Sequence, residues 1–280
     1  MTEQALSEAI EALLVERNPR RMRDARAALA PGYFLRAARH LRDIRGTVLI
    51  ATGFPVTGTF ETDGPVGAIF LYRTLALFGA EPMLACGPPL STRLMDDFRV
   101  LELIAGDLPS AQREAERQLA ALSPAAIIAI ERPGLAADGH YYNMRGVDIT
   151  GRCCYFDPYV TAATCPTIGI GDGGNEIGMG NIAQALSDLE IPLSVTPCSE
   201  LLVADVSNWA AYGLMALLGR WAGRDLLADI SPMEVINYLS RRGSVDGVTG
   251  ENTLTEDGME ARVGLDIIRR LQELVQATPD

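Results

Sequence analysis

The chain has 280 residues, 48% of them hydrophobic and 21% charged, enough apolar material for one sizeable core and too much for a disordered chain. A formal net charge of −12 argues against a nucleic-acid partner. The sequence contains no lysine, which removes Schiff-base chemistry, pyridoxal phosphate held as an internal aldimine, and the lysine of a Walker-A nucleotide loop.

The chain opens on MTEQALSEAIEALLVERNPRRMR, acidic first and basic later, which does not read as a secretory leader. No apolar run reaches the roughly 18 residues of a membrane span, so no membrane partner and a cytoplasmic location are expected. Two helices are predicted, about 2–16 and 32–45, joined at NPRRMR. The basic stretch Arg17 to Arg26 reads as a solvated loop and helix face. Short apolar runs then recur as buried strands: VLIATG (48–53), PMLACG (82–87), AIIAIE (126–131), TIGIG (167–171) and LLVADV (201–206). Helix-period stretches lie between or after them at 66–80, 91–106 and 207–223, and an amphipathic helix, about 258–277, closes the chain. Ser91, Ser207 and Ser231 are candidate N-caps. The alternation predicts one α/β domain over 1–280, with a mostly parallel sheet covered by helices on both faces.

The polar motifs begin where the apolar runs end. FPVTGTFETDGP follows the first run, RPGLAADGHYYNMRG the third, DGGNEIG the fourth and SNW the fifth. In an open parallel sheet those carboxyl ends share one edge, where ligand crevices form. One site assembled from four segments is therefore expected there.

The fourth of these motifs, IGIGDGGNEIGMGN (168–181), carries six glycines around Asp172, Asn175 and Glu176. Gly169, Gly171 and Gly174 satisfy the G-x-G-x-x-G pattern of dinucleotide sites. Two carboxylates at the anion position would repel a pyrophosphate, so no nucleotide is expected. If a helix starts near Gly173, Asp172 and Glu176 lie one turn apart and face one point. Asp172, Asn175 and Glu176, with Glu61, are the candidate ligands of a divalent cation; a helix cap is the competing role for Asp172. With only two histidines and no zinc-like cysteine pairs among five cysteines, read as reduced thiols, oxygen ligands favour magnesium, manganese or calcium.

Asp63 and Glu131, at two strand ends, are candidate proton carriers together with His140, although Asp63 equally reads as a helix cap and His140 as a surface histidine. Arg132 and Arg145 are candidate carboxylate clamps, with Tyr142 and Asn143 beside them in a polar, aromatic loop. In SNWAAYG, Asn208 is the residue free for a ligand. The acidic loop SVDGVTGENTLTEDG (244–258) is placed to close over the site.

Taken together, GFPVTGTFETDGPVGA (53–68), IAIERPGLAADGHYYNMRGVDIT (128–150), the glycine loop and VADVSNWAAYG (203–213) resemble the D-glutamate cyclase C-terminal family. The likeness runs from about residue 15 to residue 275, with the motifs in the family's order. It implies interconversion of D-glutamate and 5-oxo-D-proline, hence a small amino-acid substrate. Residue roles do not come with the resemblance; they rest on the chemistry above. A metal-dependent phosphatase, using the same carboxylates, and a non-enzymatic metal- or amino-acid-binding module are the rival expectations. The oligomeric state stays open, a homo-oligomer included.

Overall fold

A computed structural model describes residues 1–277. Six strands form one parallel sheet: β1 (Gly46–Thr52), β2 (Ala80–Cys86), β3 (Val100–Glu102), β4 (Ala126–Ile130), β5 (Thr167–Gly171) and β6 (Glu200–Val203). Their order across the sheet is β3-β2-β1-β4-β5-β6. This is the doubly wound order, in which the chain turns back between β1 and β4 and opens a crevice at their carboxyl ends.

Successive residues of one strand face opposite layers, which is why the strands read as unbroken apolar runs. Val48 and Ile50 of β1, with Ile128 and Ile130 of β4, face a large core. Its helices are α1 (Glu3–Leu14), α3 (Tyr33–Leu41), α4 (Pro65–Leu77), α8 (Ser207–Trp221) and α10 (Ala261–Gln276). Leu49 and Ala51, with Ile127 and Ala129, face a smaller layer under α6 (Leu108–Leu122) and α7 (Asp157–Thr161). The α/β fold with helices on both faces is as expected. Among the described residues, no helix is long and apolar enough to cross a membrane.

Three local expectations are corrected. The N-terminal segment holds three helices, because α2 (Met22–Ala28) forms inside the basic stretch and buries Met22 and Ala25. The stretch 91–106 is not one helix. It makes the short α5 (Leu90–Leu94) and then β3, whose Leu101 pairs with Ala85 of β2. Ser91 therefore lies inside α5 instead of capping it, and its hydroxyl donates to Glu102 Oε1 at 2.7 Å. No α-helix follows the glycine loop; after β5 the chain makes only 3₁₀ turns, at Met179–Asn181 and Ala183–Leu186. Ser231 does cap α9 (Pro232–Ser240), accepting from the backbone of Glu234.

Candidate functional site

The site lies where β1, β4 and β5 end, at the turning point of the sheet. After β1 the chain makes a short hairpin and enters α4 through Thr62, Asp63 and Gly64. Asp63 is buried, and its two oxygens accept the backbone N–H groups of Ser207 (2.9 Å) and Asn208 (2.8 Å), the first residues of α8. Asn208 returns the arrangement: its Oδ1 accepts from Gly64 N (2.9 Å) and Gly67 N (2.7 Å) at the start of α4. Each helix thus supplies the cap of the other, and two positive helix ends converge on one buried carboxylate.

Glu131 follows β4 directly, with φ of +43°, a left-handed conformation that costs a non-glycine residue on the order of 1–3 kcal/mol. Its Oε2 accepts from the Ser207 hydroxyl at 2.6 Å. Gly64 packs against it with φ of +87°; a Cβ there would stand 2.6 Å from Glu131 Cβ, so only glycine fits. Asp172 follows β5 and is buried. One oxygen each from Asp63, Glu131 and Asp172 lies within 4.8 Å of the other two. Three sheet strands therefore deliver one carboxylate each to a single point.

Burial dominates the electrostatics of this point. It pushes Asp63 up to about 8, with repulsion from Asp257 and Glu256 adding to the shift. Asp172 is raised to about 7 by burial, against the pull of Arg20. Glu131 is raised well above the carboxylate range by burial and by the charges of Asp172 and Glu176. Glu61, also buried, is raised for the same reason, with Asp257, Asp63 and Asp172 as its repelling neighbours. Carboxyl groups displaced in this way hold protons near neutral pH and can exchange them.

One cation enters the cluster. Arg20 Nη1 donates to Asp172 Oδ1 and, at 2.8 Å, to Asp257 Oδ2. Its approach is prepared by Asp205 beyond β6, which accepts the backbone N–H groups of Arg17 (2.7 Å) and Asn18 (3.0 Å). Arg20 and Asp257 are the residues that sequence reasoning passed over. The basic stretch looked solvated; the acidic loop was expected near the site, but no single acid in it stood out.

The remaining candidates separate into those near the cluster and those away from it. Glu176 lies beside Glu131, yet its oxygens accept the backbone N–H groups of Asp172 (3.2 Å), Gly173 (2.7 Å) and Gly174 (2.7 Å). This carboxylate folds the glycine loop in place of the expected helix turn. Asn175 is held by its Nδ2, which donates to Tyr142 O at 2.7 Å, while its Oδ1 is buried without a partner. Asn208 is not free for a ligand, because both ends of its buried amide are engaged, Nδ2 with Glu256 Oε2 at 2.8 Å. His140 is exposed and sits 3.1 Å from Asp148, outside the buried cluster. Tyr142 spends its hydroxyl on Asp138 at 2.7 Å. Asn143 builds a turn by accepting from Arg145 N and Val147 N, and Arg145 is exposed, donating to Val248 O at 3.2 Å. Arg145 therefore forms no clamp with the buried Arg132.

The donor set suits a hard divalent cation. All three convergent ligands are carboxylate oxygens, and Asp172 Oδ2 is buried with no hydrogen-bond partner. The fit is to Asp63, Glu131 and Asp172, not to the set centred on Glu176.

The family model described as "D-glutamate cyclase-like, C-terminal" matches residues 10–272. Human mitochondrial D-glutamate cyclase is 32% identical over 213 residues, covering 66% of this chain and 34% of that protein. The match thus spans about a third of the human protein's length. An exopolyphosphatase-related protein from Bacteroides fragilis aligns over 89% of this chain and 61% of its own, with 11% identity and a TM-score of 0.44, a likeness that carries no argument. By the extent of the family match, this chain belongs to the D-glutamate cyclase-like C-terminal family.

Proposed function

We propose that this chain is an enzyme that interconverts D-glutamate and 5-oxo-D-proline. The observation that carries the reading is the buried triad of Asp63, Glu131 and Asp172 at the sheet's turning point, in a chain of this family. In cyclisation the α-nitrogen attacks the carbon of the γ-carboxyl group, and one oxygen of that group leaves. Nitrogen gives up two protons as it passes from ammonium to lactam, and both depart with that oxygen as water. The reaction needs groups that accept a proton at nitrogen and deliver one at oxygen. Asp63 and Asp172, raised to about 8 and about 7, are poised for such exchange at neutral pH. Glu131, fixed by Ser207 and an unusual backbone turn, is the third proton-holding group.

Asp63, Glu131 and Asp172 would also hold a magnesium, manganese or calcium ion, which when bound would polarise the γ-carboxylate as a Lewis acid. No pyridoxal phosphate or nucleotide enters this scheme. The test is incubation of the purified chain with D-glutamate, with 5-oxo-D-proline, with their L forms and with a generic phosphate ester, each with chelator and with added divalent cation. Turnover of the D compounds, lost in Glu131→Gln, is expected. Hydrolysis of the phosphate ester without conversion of either amino acid would point instead to a phosphatase.

A further inference from the structure

Next to the acids lies a buried positive charge that no carboxylate neutralises. Arg132 is 4% exposed, and among the described residues it makes no ion pair. Its Nη1 donates to Gly53 O at 3.0 Å and its Nη2 to Cys154 O, while its Nε–H is buried with no partner. Thr52, the last residue of β1, is fully buried, and its hydroxyl also lacks a partner. Both line one cleft, together with Gly53, Phe54, Gly87 and Arg152. The cleft abuts the acid cluster. A Cβ placed on Gly64 would stand 2.8 Å from Thr52 Oγ1 and 2.6 Å from Glu131 Cβ, so hydroxyl and glutamate flank the same glycine.

An arginine stays charged at any working pH, and burying it unpaired is costly. Leaving a buried N–H and a buried O–H idle beside it adds to that cost. Two idle donors and an uncompensated charge at one cleft are the complement of an anion. Each terminal nitrogen already gives one of its N–H groups to a backbone carbonyl, whereas Nε–H has no protein partner.

We propose that the Thr52–Arg132 cleft is the carboxylate subsite, with Arg132 Nε and Thr52 Oγ1 donating to the substrate's α-carboxylate. The choice of the α end rests on the cyclase reading. The γ-carboxylate loses an oxygen in the reaction, whereas the α-carboxylate is ionised in both D-glutamate and 5-oxo-D-proline. Only the α group can anchor the molecule in both directions, leaving the reacting end toward Glu131. The subsite then selects acids over α-amides.

The experiment compares 5-oxo-D-proline with its carboxamide by calorimetric titration of the full chain, alongside turnover of D-glutamate and D-isoglutamine. Wild type is expected to bind the acid at least about tenfold more tightly than the amide, the scale of one hydrogen bond to a charged group. Thr52→Val, which removes the hydroxyl and keeps the shape, should weaken the acid about tenfold, leave the amide unchanged and raise KM more than it lowers kcat. Arg132→Lys should act in the same direction, and Thr52→Val serves alone if that variant fails to fold. Equal binding of acid and amide by wild type, wild-type affinity in Thr52→Val, or no binding of either probe overturns the subsite. Turnover without discrimination leaves the cyclase reading standing and removes the subsite. Discrimination that is lost in Thr52→Val, without turnover, supports the subsite and removes the cyclase reading.

Discussion

Arg20 shows how a single side chain can hold several incompatible ones together. Asp172 and Asp257 approach the same guanidinium, and both are raised, chiefly by burial; the charges of Asp63 and Glu176 add to the shift of Asp172, and the charge of Asp172 to that of Asp257. Arg20 is itself raised: burial alone would lower it, and the charges of Asp172 and Asp257 more than offset that. Removing one member of such a pair strands the other, at a cost of about 3–5 kcal/mol when the site is buried. Arg20→Met is therefore expected to lower the urea midpoint by a large fraction of the total stability, and Asp257→Asn by less, since Asp172 still pairs with the arginine. An Arg20→Met variant with an unchanged midpoint would show that the acids are neutralised by protons or a cation instead. At this scale the sequence was legible where chemistry and position coincided: Glu131 and Asp172 stand directly at the ends of apolar runs, Asp63 in the polar motif that follows the first run, and the three meet. It was not legible for Arg20, whose role depends on Asp205, 185 positions away, holding its loop. Nor could it tell that Glu176 spends its oxygens on its own loop, because loop hydrogen bonds leave no spacing to read. Asp172→Asn keeps the size of the side chain and removes a proton-exchanging group. Activity should fall by a factor of roughly 10²–10⁴ while the circular dichroism spectrum is retained. A variant that loses only thermal stability would reduce Asp172 to scaffold.

The site depends on two helices starting at the same place. Asp63 caps α8 and Asn208 caps α4, so each N-terminus is completed only when the other has docked. Helix formation, helix packing and construction of the site are then one event. Asn208→Ala would leave the N–H of Gly67 without its acceptor, Gly64 N with Asp63 Oδ1 alone, and Glu256 with Trp209 Nε1 as its remaining donor. Each lost partner costs about 1–3 kcal/mol in a buried setting, and a total of several kcal/mol in chemical denaturation is expected. Normal stability with a raised KM would restore the sequence expectation that Asn208 is free for substrate. Strand and helix positions were legible wherever an element was long or buried on both faces: β5 falls on TIGIG, and α8 on SNWAAYGLMALLGRW. Short elements escaped. β3 has three residues and sits inside a run whose apolar spacing also fits a helix, and only its pairing with β2 decides the matter. The helix expected after Gly173 failed because the glycines favour a loop and Glu176 satisfies the N–H groups that a helix would have used.

For the molecule as a whole, the buried acids set the direction in which stability changes with pH. Asp63 moves from an ordinary value of 3.8 to about 8, Asp172 from 3.8 to about 7 and Glu256 from 4.5 to about 7. Between the unfolded and folded values, the folded chain binds more protons than the unfolded chain. Unfolding free energy must then fall as pH rises through that window. Surface acids such as Asp97 and Asp148, lowered by hydrogen bonds, act the other way, but only as pH falls below their ordinary value. From about pH 5 to pH 8 the buried group therefore governs, and the chelated protein should be less stable at pH 8 than at pH 5.5. A divalent cation at Asp63, Glu131 and Asp172 would compete with those protons and bind the folded state more tightly as they leave. Added magnesium or manganese should accordingly raise Tm by several degrees at pH 8 and much less at pH 5.5. Calorimetric melts at the two pH values, with chelator and with each metal, make the comparison. A Tm that rises steadily with pH in chelator would contradict the burial of protonated acids. A fall with pH that no metal reverses would mean that Arg20 and the protons alone balance the cluster, and that the proposed cyclisation would have to run by acid–base chemistry without a Lewis acid.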